Sequence, residues 1–109
     1  MRDIEREIVS AIRGELKAFA KSNTTIAYNK NTRTYDVYLH GHRIAQINRK
    51  DGWVKLSTCG YPTNVTKSRL NCVLTALNTN KQVWRKGRVL YIGNQWDSSH
   101  FSDNMKIYF

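Results

Sequence analysis

The chain has 109 residues, 40% of them hydrophobic, and a formal net charge of +10. This length points to one domain, residues 1–109, with a modest core. No apolar run reaches bilayer-spanning length, and the start MRDIEREI is charged where a secretory signal would be apolar, so a cytoplasmic protein without a membrane partner is expected. Two cysteines, Cys59 and Cys72, are too few for a disulfide scaffold, and neither has a histidine at ligand spacing, so no metal and no cofactor are expected.

The charge is unevenly placed. Residues 16–96 hold fourteen Lys or Arg against only Asp36 and Asp51, whereas each terminal segment has a small acidic excess. A continuous basic stretch of this kind attracts polyanions, and nucleic acid, DNA or RNA, is the expected partner. An acidic protein partner is the alternative.

In chain order, the spacing of Ile4, Ile8, Ile12 and Leu16, widened by Val9 and Phe19, predicts an amphipathic helix over residues 3–20. The period then changes to two. Thr24 to Tyr28 reads as a strand, and Tyr35, Val37 and Leu39 alternate with Asp36, Tyr38 and His40 as a second. A turn at His40-Gly41-His42 leads into Arg43 to Asn48, and Asp51-Gly52 is a hairpin signal before Trp53 to Thr58. The parity conflicts along the middle strand. Its first hairpin puts Ile44 inward and its second puts Ile47 inward, as Leu56's partner, which requires either a bulge or partial cover on both faces.

After a loop at residues 59–64, a second helix is predicted over 66–77, with Leu70, Val73, Leu74 and Leu77 on one face. Val83-Trp84 and Val89 to Ile92 form a hairpin around Lys86-Gly87, residues 94–104 read as irregular, and Met105 to Phe109 as a closing strand. The expected fold is α+β: an N-terminal helix, an antiparallel meander, a second helix, then a C-terminal hairpin and strand, with the helices on one face of the sheet.

Two places carry candidate nucleic-acid contacts. Thr66 reads as the N-cap of the second helix, and Lys67 and Arg69 occupy its first turn, where acids are preferred. With the Ser68 hydroxyl and the free helix N–H groups they compose a phosphate site; the bland alternative is two solvated side chains. At the 83–92 hairpin, Arg85, Lys86 and Arg88 surround Gly87, and a turn at Lys86-Gly87 sets Arg85 opposite Arg88, a repulsive pairing that an external anion would relieve. Trp84 and Tyr91 stand behind this tip, as core residues or as stacking surfaces for bases. Arg43 and Lys55 add charge along the meander.

Tyr38-Leu39-His40-Gly41 followed by Val65-Thr66-Lys67-Ser68-Arg69-Leu70-Asn71 resembles small proteins encoded by tailed phages and plasmids, over roughly residues 35–92. That resemblance implies a phage or mobile-element origin, hence a host cytoplasm, and no activity. The order helix, three-stranded meander, helix is also similar to the double-stranded-RNA-binding domain and to HicA-type RNA-cleaving toxins. In those toxins a strand histidine after a glycine acts on RNA, and Gly41-His42-Arg43-Ile44 resembles that segment. The thirty or so residues after the second helix depart from this layout, and Lys67 and Arg69 meet the RNA-binding signature only in part.

No serine or cysteine nucleophile, paired carboxylate or metal-ligand spacing accompanies His40, His42 or His100, so no catalytic residue is expected. The leading reading is a basic phage-type protein that contacts nucleic-acid backbone with little base readout. The alternatives are an interaction protein that inhibits a host or competing factor through an acidic or nucleic-acid-binding surface, and a small metal-free ribonuclease using His42 with Arg43.

Overall fold

A computed structural model describes residues 2–109. The elements run α1 (Asp3–Arg13), β1 (Ala18–Lys21), β2 (Thr24–Asn29), β3 (Thr34–Leu39), β4 (His42–Asn48), β5 (Trp53–Leu56), α2 (Asn64–Ala76), β6 (Gln82–Lys86), β7 (Val89–Gly93), β8 (Ser98–His100) and β9 (Met105–Tyr108). Strands β1-β2-β3-β4-β5-β9 form one sheet and β6-β7-β8 a second. Every pairing is antiparallel, so the fold is α+β.

Helix α1 stops seven residues before the predicted end. Gly14 closes it, and Glu15 follows at φ +52°. Ile8, Val9, Ala11 and Ile12 are buried as the apolar stripe requires, but Leu16 lies outside the helix and is largely exposed. The four-residue spacing continues past Gly14 without the helix. Phe19 belongs instead to β1, opposite Ile26, in a hairpin that the sequence reading did not contain.

The meander follows the alternation. His40-Gly41 joins β3 to β4 with both residues at positive φ, +51° and +80°, the requirement of a type I′ turn. The parity conflict is resolved by a bulge: Val37 pairs with Ala45 but Tyr38 pairs with Arg43, so Ile44 is the extra residue. Ile44 and Ala45 are both buried in consequence; Ile47 is inward as expected but faces Val54, while Leu56, expected opposite it, pairs with Ala45. The covered face carries Ile26, Val37, Ile47, Val54 and Leu56, in one apolar cluster with both helices.

Helix α2 begins two residues earlier than predicted. Thr63 is its N-cap, accepting the Thr66 N–H on Oγ1 at 3.2 Å. Its buried residues, from Thr66 and Arg69 through Leu70, Cys72, Val73, Leu74 and Ala76, surround most of the helix. It contacts α1, β4 and β6, so the second sheet covers a side of α2 that has no counterpart in the single apolar face read from sequence. Asn71 ties the two together: its Nδ2 donates to the Val83 carbonyl at 3.0 Å and its Oδ1 accepts the Val83 N–H at 2.6 Å. Val83 and Ile92 face the core from β6 and β7.

Turns and element ends hold many left-handed residues. Glu15, Ser22, Arg33, His40, Cys59, Asn78, Asn80 and Asn104 all have φ between +51° and +68°.

Candidate nucleic-acid interface

The α2 N-terminus is not the phosphate site expected from sequence. Thr66 is 2% exposed and is an interior helix residue rather than the cap. Arg69 is 5% exposed and points into the protein, where Nε donates to Thr24 Oγ1 at 3.0 Å and Nη2 to Asn23 Oδ1 at 3.4 Å. Ser68 Oγ donates to Glu5 Oε1 at 3.1 Å, so an acid from α1 already lies beside this turn. The physical reason is helical spacing: Arg69 lies three residues from Thr66 and four from Val73, both buried, so it shares their inward side and meets the β1–β2 hairpin. Of the two cations in this turn, only Lys67 remains half-exposed.

Arg43 and Lys55 lie on the face of the large sheet turned away from the helices. Arg43 Nη1 is 3.6 Å from Asp36 Oδ2, a carboxylate that is 1% exposed. Asp36 also accepts from Thr34 Oγ1 at 2.7 Å and from Asn29 Nδ2 at 3.4 Å, so Arg43 belongs to a buried polar network as well as to the surface. Lys55 sits directly opposite Lys106 across β5 and β9, and Lys106 Nζ lies 4.3 Å from the Trp53 ring centroid. Facing like charges repel, and the indole offsets part of that cost.

The second sheet brings the remaining candidates together. The β6–β7 turn is Gly87-Arg88, so Arg85 pairs with Leu90 and Lys86 with Val89; Arg85 does not face Arg88 as the sequence had suggested. Strand alternation splits the sheet into two faces. Val83, Leu90 and Ile92 turn toward the core. Gln82, Trp84 and Lys86 share the other face with Val89, Tyr91, Ser98 and His100.

Trp84, Tyr91 and His100 form one cross-strand row on that open face. The Trp84 and Tyr91 rings are 5.8 Å apart with planes 19° from parallel, and His100 meets Tyr91 edge-on at 5.0 Å. One rung toward the turn stands Lys86, with Arg88 in the turn and Arg85 on the opposite face of β6, all exposed and without an ion pair among the described residues. One rung the other way, an open cleft of about 570 Å³ lies between Trp84 and Trp96. Trp96 is 79% exposed, in a turn where Asn94 Oδ1 accepts the Trp96 and Asp97 N–H groups at 2.9 and 3.0 Å. Gly93 lies between, at φ +150°, with space for no side chain: a Cβ there would meet the Asp97 carbonyl oxygen and lie 2.6 Å from Ser98 Cα. Sequence reading missed Trp96 inside a segment taken as irregular. A tryptophan among polar residues was the available signal.

The histidines of the β3–β4 turn lie elsewhere. His40 and His42 line a cavity of about 430 Å³ with Tyr61 and Thr66, and the His42 and Tyr61 rings are 4.9 Å apart. Arg43, the residue paired with His42 in the ribonuclease reading, turns instead toward Asp36. Among the described residues no group of three His, Cys, Asp or Glu side chains is placed to hold a metal ion.

These features define a two-sheet α+β protein with a covered core face and open faces that carry cations and aromatic rings. A phage family described as Kyanoviridae Gp96 protein matches residues 1–108, and the chain belongs to that family. The phage origin read from the sequence therefore stands. No curated protein and no solved structure matches the chain, so the likeness to double-stranded-RNA-binding and HicA-type domains gains no support. The three-stranded meander behind that likeness is the middle of a six-stranded sheet. No helix among the described residues is long and apolar enough to cross a membrane.

Proposed function

We propose that this phage protein binds nucleic acid across the open face of the β6–β8 sheet, with its basic hairpin tip on the phosphate backbone. The observation that carries the reading is the Trp84–Tyr91–His100 row with Lys86 on the same face and Arg88 at the turn, and Arg85 exposed near the same hairpin end on the other face. Three unpaired cations concentrated at one hairpin end supply sequence-independent attraction. The rings of the row, half-buried at Trp84 and Tyr91 and exposed at His100, offer π-surface that any base can stack on. Lys55 and Lys106, on the large sheet, extend the positive field.

The test is a panel of duplex and single-stranded DNA and RNA at two salt concentrations. Binding is expected to weaken with a log–log slope of about −0.9 per phosphate contacted on duplex DNA and about −0.7 on single strands, hence about −2 to −3 for the three tip cations. Absence of binding to all four at low salt overturns the reading and favours an acidic protein partner, such as a host factor that the protein inhibits. RNA cleavage that disappears in His42→Ala would favour the ribonuclease reading, which the shared cavity of His40, His42 and Tyr61 keeps in view.

A further inference from the structure

We propose that the cleft between Trp84 and Trp96 receives an unpaired nucleobase, which makes the protein a single-strand binder. This rests on the nucleic-acid reading above and adds the strandedness and the reading pocket.

Trp96 motivates the assignment. Burying an indole is strongly favourable, yet the fold holds this one 79% exposed, on a turn fixed by Asn94. The cleft that it borders has the volume of a small-molecule site. Its second wall is Trp84, the first ring of the open-face row, so a base entering the cleft continues the surface on which its neighbours stack.

The remaining walls are amides. Gln82 Nε2 already donates to the Lys81 carbonyl at 2.9 Å and to Thr75 Oγ1 at 3.2 Å, which leaves its Oε1 as an acceptor. The side-chain amides of Asn80 and Gln95 make no hydrogen bond among the described residues, and both line the cleft. An amide offers a donor and an acceptor side by side, as the Watson–Crick edge of a base does. That edge is engaged in a duplex and free in a single strand. Gly93 contributes backbone alone to the lining, and the Asp97–Ser98 backbone packed against it leaves no place for a side chain.

Lys86 sets the direction. It lies two residues from Trp84 along β6 on the same face, about 7 Å away. A strand with one base in the cleft and the next on the aromatic row therefore brings its backbone to Lys86 and to Arg88 at the turn.

The experiment titrates wild type, Trp96→Ala, Trp96→Phe and Lys86→Glu, each first shown to melt as wild type does. The probes are a short mixed-sequence single strand, the same strand as a duplex, and an abasic strand of equal charge, followed by tryptophan fluorescence. The single strand is expected to bind at least about tenfold tighter than the duplex and to quench the fluorescence. Trp96→Ala is expected to lose about tenfold or more on the single strand only, falling to the affinity of the abasic strand, while Trp96→Phe retains most of it. Lys86→Glu weakens all three probes. Equal affinity for single strand and duplex, or a Trp96→Ala protein indistinguishable from wild type, overturns this proposal and leaves nucleic-acid binding standing. Failure of every probe overturns both.

Discussion

Arg69 shows how far a side chain's role depends on a contact distant in sequence. Its guanidinium is held by Thr24 and Asn23, neutral oxygens from the β1–β2 turn, and no carboxylate ion pair accompanies it among the described residues. Hydrogen bonds to a buried charge are strong, and deleting the guanidinium removes the donor to both oxygens, leaving only the 3.0 Å bond from Thr24 Oγ1 to Asn23 Oδ1. Arg69→Ala is therefore expected to cost about 2–4 kcal/mol in a denaturant melt. Arg69→Glu is expected to cost more, since a carboxylate would meet the oxygen acceptors; a neutral effect would show that the helix starts elsewhere. Cys72 is a second inward residue. Burial pushes its thiol pKa up to about 11 from 9.0, with the Glu5 carboxylate adding to the rise and Arg69 opposing it. The unfolded thiol then ionises first, so the stability present below pH 9 declines between about pH 9 and 11. Cys72→Ala is expected to show a shallower decline over that window in pH-dependent melts.

At the scale of elements, the β6–β7 hairpin separates binding from folding. Arg85, Lys86 and Arg88 are exposed at its end, so Lys86→Glu or Arg88→Glu is expected to leave the melt within about 0.5 kcal/mol of wild type while lowering the salt slope by about one unit or more. Lys30→Glu, on the β2–β3 loop, makes the same charge change away from the platform and is the matched control. Gly93→Ala is the opposite case, expected to cost at least about 2 kcal/mol because a Cβ meets the backbone of Asp97 and Ser98. How much of this was legible differs by element. The meander could be read because alternation is local, and the conflict between Ile44 and Ile47 announced the bulge. Strand β1 was missed because the four-residue spacing ran on to Leu16 across Gly14. The tip's cations and Trp84 were legible as a cluster. The Gly87-Arg88 turn and the row completed by His100 were not, because both depend on strand register and on a β8 that reads as irregular.

For the molecule as a whole, the basic excess sets the response to salt and the histidines set the question of chemistry. His42→Ala is expected to leave nucleic-acid affinity within about twofold of wild type, since His42 opens β4 and does not lie on the β6–β8 sheet; a gel-shift titration at fixed salt checks it. The α2 N-terminus looked like a site from sequence because Lys67 and Arg69 are two positions apart in the chain, whereas the acceptors that claim Arg69 lie forty-five and forty-six positions away. The left-handed turn residues have a consequence of another kind. A side chain at such an angle costs about 1–2 kcal/mol relative to a right-handed one, and glycine escapes that cost, less what it loses as a freer unfolded chain. Ser22 and Arg33 hold φ +56° and +59° at exposed turns where they make no side-chain bond among the described residues. A fold with so many of these positions sits below its own thermal ceiling, and glycine at just these two is a route to a hardier protein whose binding faces are untouched.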